Sequence, residues 1–556
     1  MNEYGTVAFY FHPEAYSASG KRLMGRNAAG ESFLKGYLKH AHAKTFYCYV
    51  KNNAQGRSFE DTVRQYRNEP VNIIKTIHSG ALAEAKTLYY PGPDIGQQAF
   101  LRSQINPVGW SICGITHTTS SAGAMDAIAR WLTSPIENWD AIICTSKAVK
   151  AHVEKILQAE VNRLQQRLGI QNLPLPQLPV IPLGVHIDEF TFSNQEKQVA
   201  RNAIQADQDT IVILYMGRLS FHAKAHPLAM YQALSKAAQK TCKKIKLLEC
   251  GWFANEYTRK AYVDSAKSVC PSIEIIHLDG RDPIHRRTAW ASADIFCSLS
   301  DNIQETFGIT PIESMAAGLP SVVSDWDGYK ETIRHGVDGF RIATTLPQPG
   351  LGGDLAFRYA LDIDNYDFHC GHTCMHISVE VAQAVKAFIA LIEDETLRKK
   401  MGEAARQRAK AVYDWSSIIP QYEQIWEELE TIRLKCLKEK PGLERPQPWP
   451  ARLDPFTGFA HYSTNCLTKE SKILRVDQNL SNSIKRLDYF LNLELVRFAN
   501  NVIPTRDNLV LLLGKIDSVP TMVMNVISDY SNQRQAFNLR ALSILQKLGL
   551  IQMVEP

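Results

Sequence analysis

The stretch ADIFCSLSDNIQETFGITPIESMAAGLPSVVSDW, residues 293–326, decides how the chain reads. It opens on an apolar run, ADIFCSLS (293–300), crosses a polar loop and starts a helix near Thr310. Gly318 and Pro320 end that helix, and a second apolar run, LPSVVSDW (319–326), follows. Short apolar runs joined by a helix are the unit of a parallel sheet buried on both faces. Glu305 and Glu313 stand at the two ends of a glycine turn and a helix start. With Thr310 as cap, Pro311 takes the first helical position and Glu313 stands three after the cap, so alone Glu313 reads as part of a capping box. A helix start beyond the carboxyl end of a strand also offers free N–H groups and a partial positive charge, which suit a phosphate.

The same alternation extends in both directions. Upstream, VAFYFH (7–12), TFYCYVK (45–51), WSICGITH (110–117) and DAIICTS (140–146) read as strands. Helices fit AGESFLKGYLKHA (29–41), AMDAIARWL (124–132) and the span from Lys147 to about Leu168. LPVIPLGVHIDEF (178–190) reads as a last strand leaving the first domain. TIVILYMGRL (210–219), KIKLLECGWF (244–253) and IEIIHLDG (273–280) then lead into the opening stretch. The expected class is α/β, with two tandem doubly wound, Rossmann-like domains over 1–190 and 191–414. Their ligands belong beyond the carboxyl ends of the strands. A closing helix (415–440), a proline-rich linker (441–456) and a helical accessory domain (457–556) complete the division.

Composition limits the possibilities. At 556 residues the chain exceeds a single core, and 45% hydrophobic with 21% charged residues is ordinary for a globular protein. The net charge of +5 does not call for nucleic acid, and the C-terminal region shows no clear basic recognition face. No stretch approaches the roughly 18 apolar residues of a membrane span. Eleven cysteines scattered through apolar segments read as reduced, buried thiols, which places the chain in the cytoplasm.

Arg218 and Lys224, in GRLSFHAK (217–224), leave the end of the strand IVILYM. Singly each reads as a solvated surface cation; together at a sheet edge they suit a diphosphate. Near the N-terminus SGKRLMGRNAAGES (19–32) joins a strand to a helix, and Gly25, Ala28, Ala29 and Gly30 would let the backbone approach an anion. His117 closes the strand WSICGITH, where a lone histidine is more often structural than catalytic.

Together these pieces resemble the retaining, nucleotide-sugar-dependent glycosyltransferases of family four, which have the GT-B fold. The matching features are the glutamate-x7-glutamate motif Glu305…Glu313, the Arg218/Lys224 pair, His117, DAIICTSKAV, VIPLGVHIDEF, ADIFCSLSDNIQETFG and DGYKETIRHGVDGFRI. The resemblance covers roughly residues 5 to 430. It implies that Glu305 and the N–H groups of Phe307, Gly308 and Ile309 hold donor-sugar hydroxyls and that Glu313 binds the ribose. Arg218 and Lys224 would bind the diphosphate, helped by the loop around Gly30, and His117 would contact the sugar near the reacting carbon. The implied partners are a nucleotide-sugar donor and a glycan or lipid-linked acceptor in cell-surface polysaccharide or glycoconjugate synthesis, with retention and no cofactor or metal. The implied location is cytoplasmic, with peripheral contact at the inner membrane face through the basic helix that starts at Lys147.

A glycosidase would need its two carboxyls about 5 Å apart across one bond and leaves the cations without a role. The competing reading is a non-catalytic nucleotide-sugar-binding protein with the helical tail as interaction module. Two further groups invite a metal assignment: Asp325-x-Asp327, and His369, Cys370, His372, Cys374 and His376 in DFHCGHTCMH (367–376). The first follows the wrong strand. The second matches no familiar structural spacing, and near-adjacent ligands seldom reach one ion together, so no metal is expected at either.

Overall fold

In the computed structural model residues 6–17 and 25–554 are described. Two six-stranded, all-parallel sheets carry the first 449 residues. The first holds β1 (Val7–Tyr10), β2 (Phe46–Val50), β3 (Val71–Lys75), β4 (Thr87–Tyr89), β5 (Ser111–Ile115) and β6 (Ala141–Ile143), in the order β3-β2-β1-β4-β5-β6. The second holds β7 (Ile211–Met216), β8 (Ile245–Gly251), β9 (Glu274–Asp279), β10 (Ile295–Ser298), β11 (Ser321–Ser324) and β12 (Gly339–Ile342), in the order β12-β11-β10-β7-β8-β9. Read from its other edge the second order repeats the first. Each sheet therefore has one point where the strand order reverses, β1 beside β4 and β7 beside β10, and there the loops diverge into a crevice. This is the two-domain Rossmann-like GT-B architecture.

The buried runs explain the strands. Every residue of β7, β8, β10 and β11 is buried, as a sheet covered by helices on both faces requires. Val71–Lys75, Thr87–Tyr89 and Gly339–Ile342 are strands that the alternation did not single out. The expected strand at 178–190 is a correction. Its prolines at 179 and 182 supply no N–H for a ladder, and the chain makes only isolated bridges, Cys144 to Val180 and Val185 to Asp414.

The helix Trp415–Glu439 returns to the first sheet. Its Trp415 fills the space over Gly36 and Gly184, where a Cβ would lie 2.5 Å from the indole, and its Nε1 donates to Ser32 Oγ at 2.9 Å. Arg433 donates to the carbonyls of Val108 and Gly109. Beyond the helix, Gln447 N bonds Ser103 O at 2.8 Å and Trp449 stacks on Phe100, so the proline-rich segment is anchored that far.

The chain divides into two compact units, residues 1–449 and 450–556. The second has its own core of Ile473, Leu487, Leu509, Leu513, Ile527, Leu542 and their neighbours. Its helices include Leu480–Leu491, Arg506–Gly514 and Asn532–Lys547. It also contains a three-stranded antiparallel sheet (Lys472–Arg475, Thr521–Met522 and Ile551–Met553), so the expected helical unit is helix-rich with a small sheet. Among the described residues no helix is long and apolar enough to cross a membrane.

Candidate functional site

At the β7/β10 switch point two loops meet. The loop after β7 brings Arg218 and Lys224; the loop after β10 brings Glu305. Lys224 Nζ lies 2.5 Å from Glu305 Oε2, and the Glu305 side chain keeps only 8% of its surface exposed. Arg218 Nη2 donates to Ala223 O at 2.8 Å and to Gln304 Oε1 at 3.0 Å, which binds the two loops one residue from Glu305. Sequence reasoning placed these three side chains at strand ends, and the structure brings them together.

The helix beyond them runs Ile309–Ala316, with Gly308 as its cap residue and no side-chain capping bond. This corrects the expected start at Thr310. Pro311 occupies the third helical position rather than the first, and no capping box involves Glu313. Gly308 has φ +81°, and a Cβ there would lie 2.1 Å from the Tyr329 ring, so the turn requires glycine. Among the described residues no acceptor engages the N–H groups of Phe307, Gly308 and Ile309. Three N–H groups without a partner and the positive end of a helix thus follow directly on Glu305.

Glu313 sits one turn further in, half-buried. Burial pushes its carboxyl up to about 7, opposed by the Arg286 guanidinium and reinforced by Glu189. Arg286 is itself held by the carbonyl of Gly280, at 2.8 Å, just beyond β9. Arg286 is a charged neighbour of Glu313 that the sequence did not mark, since nothing in HRRTAW distinguishes it from Arg287.

The first domain meets this site closely. His117, just past β5, accepts a bond from Thr306 Oγ1 through its backbone carbonyl at 2.9 Å. Ser146, which caps the helix Lys147–Leu168, donates from Oγ to Thr306 O at 2.7 Å. Lys147 N donates to Glu331 Oε1 at 2.6 Å. Thr306, between Glu305 and Phe307, is thus held on both its hydroxyl and its carbonyl by the first domain. Sequence reasoning missed Thr306 and Ser146 because each bond partner lies more than 150 positions away.

Gly30 requires a correction. Its helix begins at Gly25, and Gly30 lies in the second turn, where a Cβ would sit 2.1 Å from Ala15 O. What approaches Gly30 closely is the protein's own backbone, which makes it a packing glycine. Residues 18–24 of the loop expected to cradle an anion lie outside the described residues.

The two groups read as metal-like resolve into separate contacts. Asp325 faces Arg341 at 3.4 Å. Asp327, at φ +45°, turns toward Ser146 Oγ at 3.4 Å and leaves Oδ2 buried without a partner. Burial, then the neighbouring Glu305, holds the Asp327 carboxyl well above the usual range. In the helix Tyr366–Cys374, His369 stacks on Tyr359, His372 bonds Asp364, and Cys370 and Cys374 are buried on another face. Among the described residues no three His, Cys, Asp or Glu side chains converge on one point.

Residues 196–348 match the family described as "Glycosyl transferases group 1". An uncharacterised glycosyltransferase of Methanocaldococcus jannaschii is 28% identical over 197 residues, 35% of this chain and 47% of that protein. A phosphatidyl-myo-inositol mannosyltransferase of Mycobacterium tuberculosis is 26% identical over 146 residues, 26% of this chain and 30% of that protein. The chain spans about half the length, or less, of these curated relatives. A solved glycosyltransferase from Rickettsia africae shares the fold, with a TM-score of 0.50 at 16% identity over 77% of this chain and 99% of that one.

Proposed function

We propose, from the premise that this chain belongs with the group 1, family-four glycosyltransferases of GT-B fold, that it moves a sugar from a nucleoside-diphosphate donor to a glycan or lipid-linked acceptor with retention of configuration. The observation that carries this reading is the convergence of Arg218, Lys224, Glu305 and the unoccupied N–H groups of residues 307–309 at one switch point. A guanidinium, an ammonium and a helix start are the groups that stabilise a departing diphosphate. Lys224 would transfer its charge from Glu305 to the phosphate, leaving Glu305 to accept from a sugar hydroxyl. Glu313 would accept from the ribose diol.

In this mechanism the bond between the anomeric carbon and the diphosphate oxygen breaks and the carbon becomes oxocarbenium-like. The acceptor oxygen attacks from the same face, and its proton passes to the departing phosphate. The cations already present can neutralise the leaving group, so the proposal includes no metal, and turnover should be unchanged by a chelator. Synthesis of a surface polysaccharide or glycoconjugate is the setting that fits such a transfer, with the acceptor met at a membrane face.

A thermal-shift panel of UDP, GDP and ADP and their hexose conjugates tests the premise, because a ligand of the folded state raises its melting point. Acceptor-dependent release of nucleoside diphosphate, followed by NMR of the product's anomeric proton, then tests transfer and retention. Binding without acceptor-dependent release would leave a nucleotide-sugar-binding protein instead. Failure to co-sediment with anionic liposomes at low salt would remove the membrane part of the proposal.

A further inference from the structure

Between β12 and the helix Val381–Glu393 the second domain carries an insertion. Its base is the antiparallel pair Thr344–Thr345 and Ser378–Val379; its body is two helices, Gly353–Ala360 and Tyr366–Cys374. Asp364 locks these helices together, accepting from Arg358 at 2.8 and 2.9 Å and facing His372 Nδ1 at 2.9 Å. On one side the second helix lies against the phosphate-side loop: a Cβ on Gly371 would come within 2.8 Å of His222 Cβ, two residues before Lys224. On the other side the insertion reaches the first domain. Tyr366 OH lies 3.2 Å from Thr118 Oγ1 and 3.1 Å from Ser120 Oγ, and those two hydroxyls lie 3.3 Å apart. Tyr359 OH accepts from Ala122 N at 2.8 Å, and His369 stacks flat on the Tyr359 ring with centroids 4.2 Å apart.

We propose that Tyr366 and Tyr359 are positioning residues, which from the inserted helices hold segment 118–122, and with it His117, against the donor site. The inference rests on the transfer reading above. Each tyrosine supplies what its target lacks. Ala122 opens the helix Ala122–Arg130, so its N–H has no intrahelical acceptor. The hydroxyls of Thr118, Ser120 and Tyr366 each carry one proton and two lone pairs and can satisfy one another in a ring. Burial pushes the Tyr366 phenol up to about 12, so it remains both donor and acceptor at neutral pH. These contacts carry no charge, so salt should leave them intact. The insertion touches the phosphate-side loop and the acceptor-side segment with one rigid helix pair, and thereby fixes their separation.

The test is the Tyr359→Phe/Tyr366→Phe chain, which keeps both rings and removes both hydroxyls. Hydrogen–deuterium exchange of amides 117–125, without ligand, should speed up by about tenfold. With UDP-glucose, GDP-mannose and ADP-glucose as probes, kcat for release of nucleoside diphosphate should fall by about tenfold. Donor KM should stay within about twofold, because the diphosphate contacts belong to the second domain. Unchanged exchange overturns the holding contact. Faster exchange with unchanged kcat overturns the positioning role, as does a rise in donor KM alone. If the unaltered chain turns over none of the three donors, the transfer reading has failed, and exchange still decides whether the tyrosines hold the segment.

Discussion

Lys224 and Glu305 neutralise each other in a site where the carboxylate is almost fully enclosed. Removing one partner leaves the other charge buried and uncompensated, which costs more than the pair contributes. Lys224→Ala is therefore expected to lower both stability and turnover, the latter by about a hundredfold or more through loss of a leaving-group cation. The double variant Lys224→Met/Glu305→Gln should regain the stability and not the turnover, as read by denaturant titration beside diphosphate release. Recovery of both would take the pair out of the chemistry. Gly308 offers a steric test. Alanine there combines a left-handed backbone with a Cβ inside the Tyr329 ring, at a cost of roughly 2 kcal/mol or more. Nucleotide binding by Gly308→Ala, measured by calorimetry, should be lost with it. Glu313 gives a pH dependence. Burial pushes its folded carboxyl from an ordinary 4.5 up to about 7, so the native state holds the proton more tightly than the unfolded chain does. The group favours the native state most below its unfolded value. Stability then declines as pH rises between those values and levels off above the upper one. Glu313→Gln should flatten that slope. Nucleoside diphosphate should bind more tightly as Glu313 ionises, and the glutamine variant should lack that step; equal pH profiles for both chains would contradict the assignment.

At the scale of elements, the loop after β10 is gripped by the first domain through Thr306. Thr306→Val keeps the shape and removes the bond to the His117 carbonyl. A loss of about tenfold in kcat is expected, with recovery in Thr306→Ser; a serine chain as slow as the valine one would assign the effect to packing. The same loop shows what the sequence could convey. Alternating apolar runs and helices specified the two doubly wound sheets because most of their strands are apolar runs buried on both faces; β3, β4 and β12 are too short or too exposed to leave that pattern. Arg218, Lys224 and Glu305 were legible as candidates because each lies in the first loop after a strand's carboxyl end, where fold rules place ligands. Thr306, Ser146, Arg286 and the two tyrosines were not, since their roles come from partners in distant segments that a linear pattern does not bring together. The helix start was misplaced by two residues because the Thr-Pro pair imitates a cap, whereas the left-handed turn at Gly308 starts the helix before either. Gly30 misled for a related reason: a close approach calls for glycine whether an anion or Ala15's carbonyl is the neighbour.

For the whole molecule, the distribution of cores sets how it should unfold. One apolar cluster runs from Phe9 and Tyr37 of the first domain through Trp415, Tyr413 and Phe307 to Phe296 and Met315 of the second. Residues 1–449 therefore share a core across both sheets, with Trp415 at the join, and should melt together. Residues 450–556 bury a separate core around Leu509, Leu512 and Leu542. Calorimetry of the full chain should resolve two transitions. A chain ending at Trp449 should keep the larger one unshifted, because it retains the Gln447–Ser103 bond and the Phe100–Trp449 stack that anchor its end. Nucleoside diphosphate should raise that transition equally in both chains, since every group placed at the phosphate site lies before residue 449. If the shortened chain binds nucleotide as well as the full chain does but no longer releases diphosphate in an acceptor-dependent way, residues 450–556 bring the acceptor or a partner. A single shared transition in the full chain would show instead that the second unit owes its stability to the first.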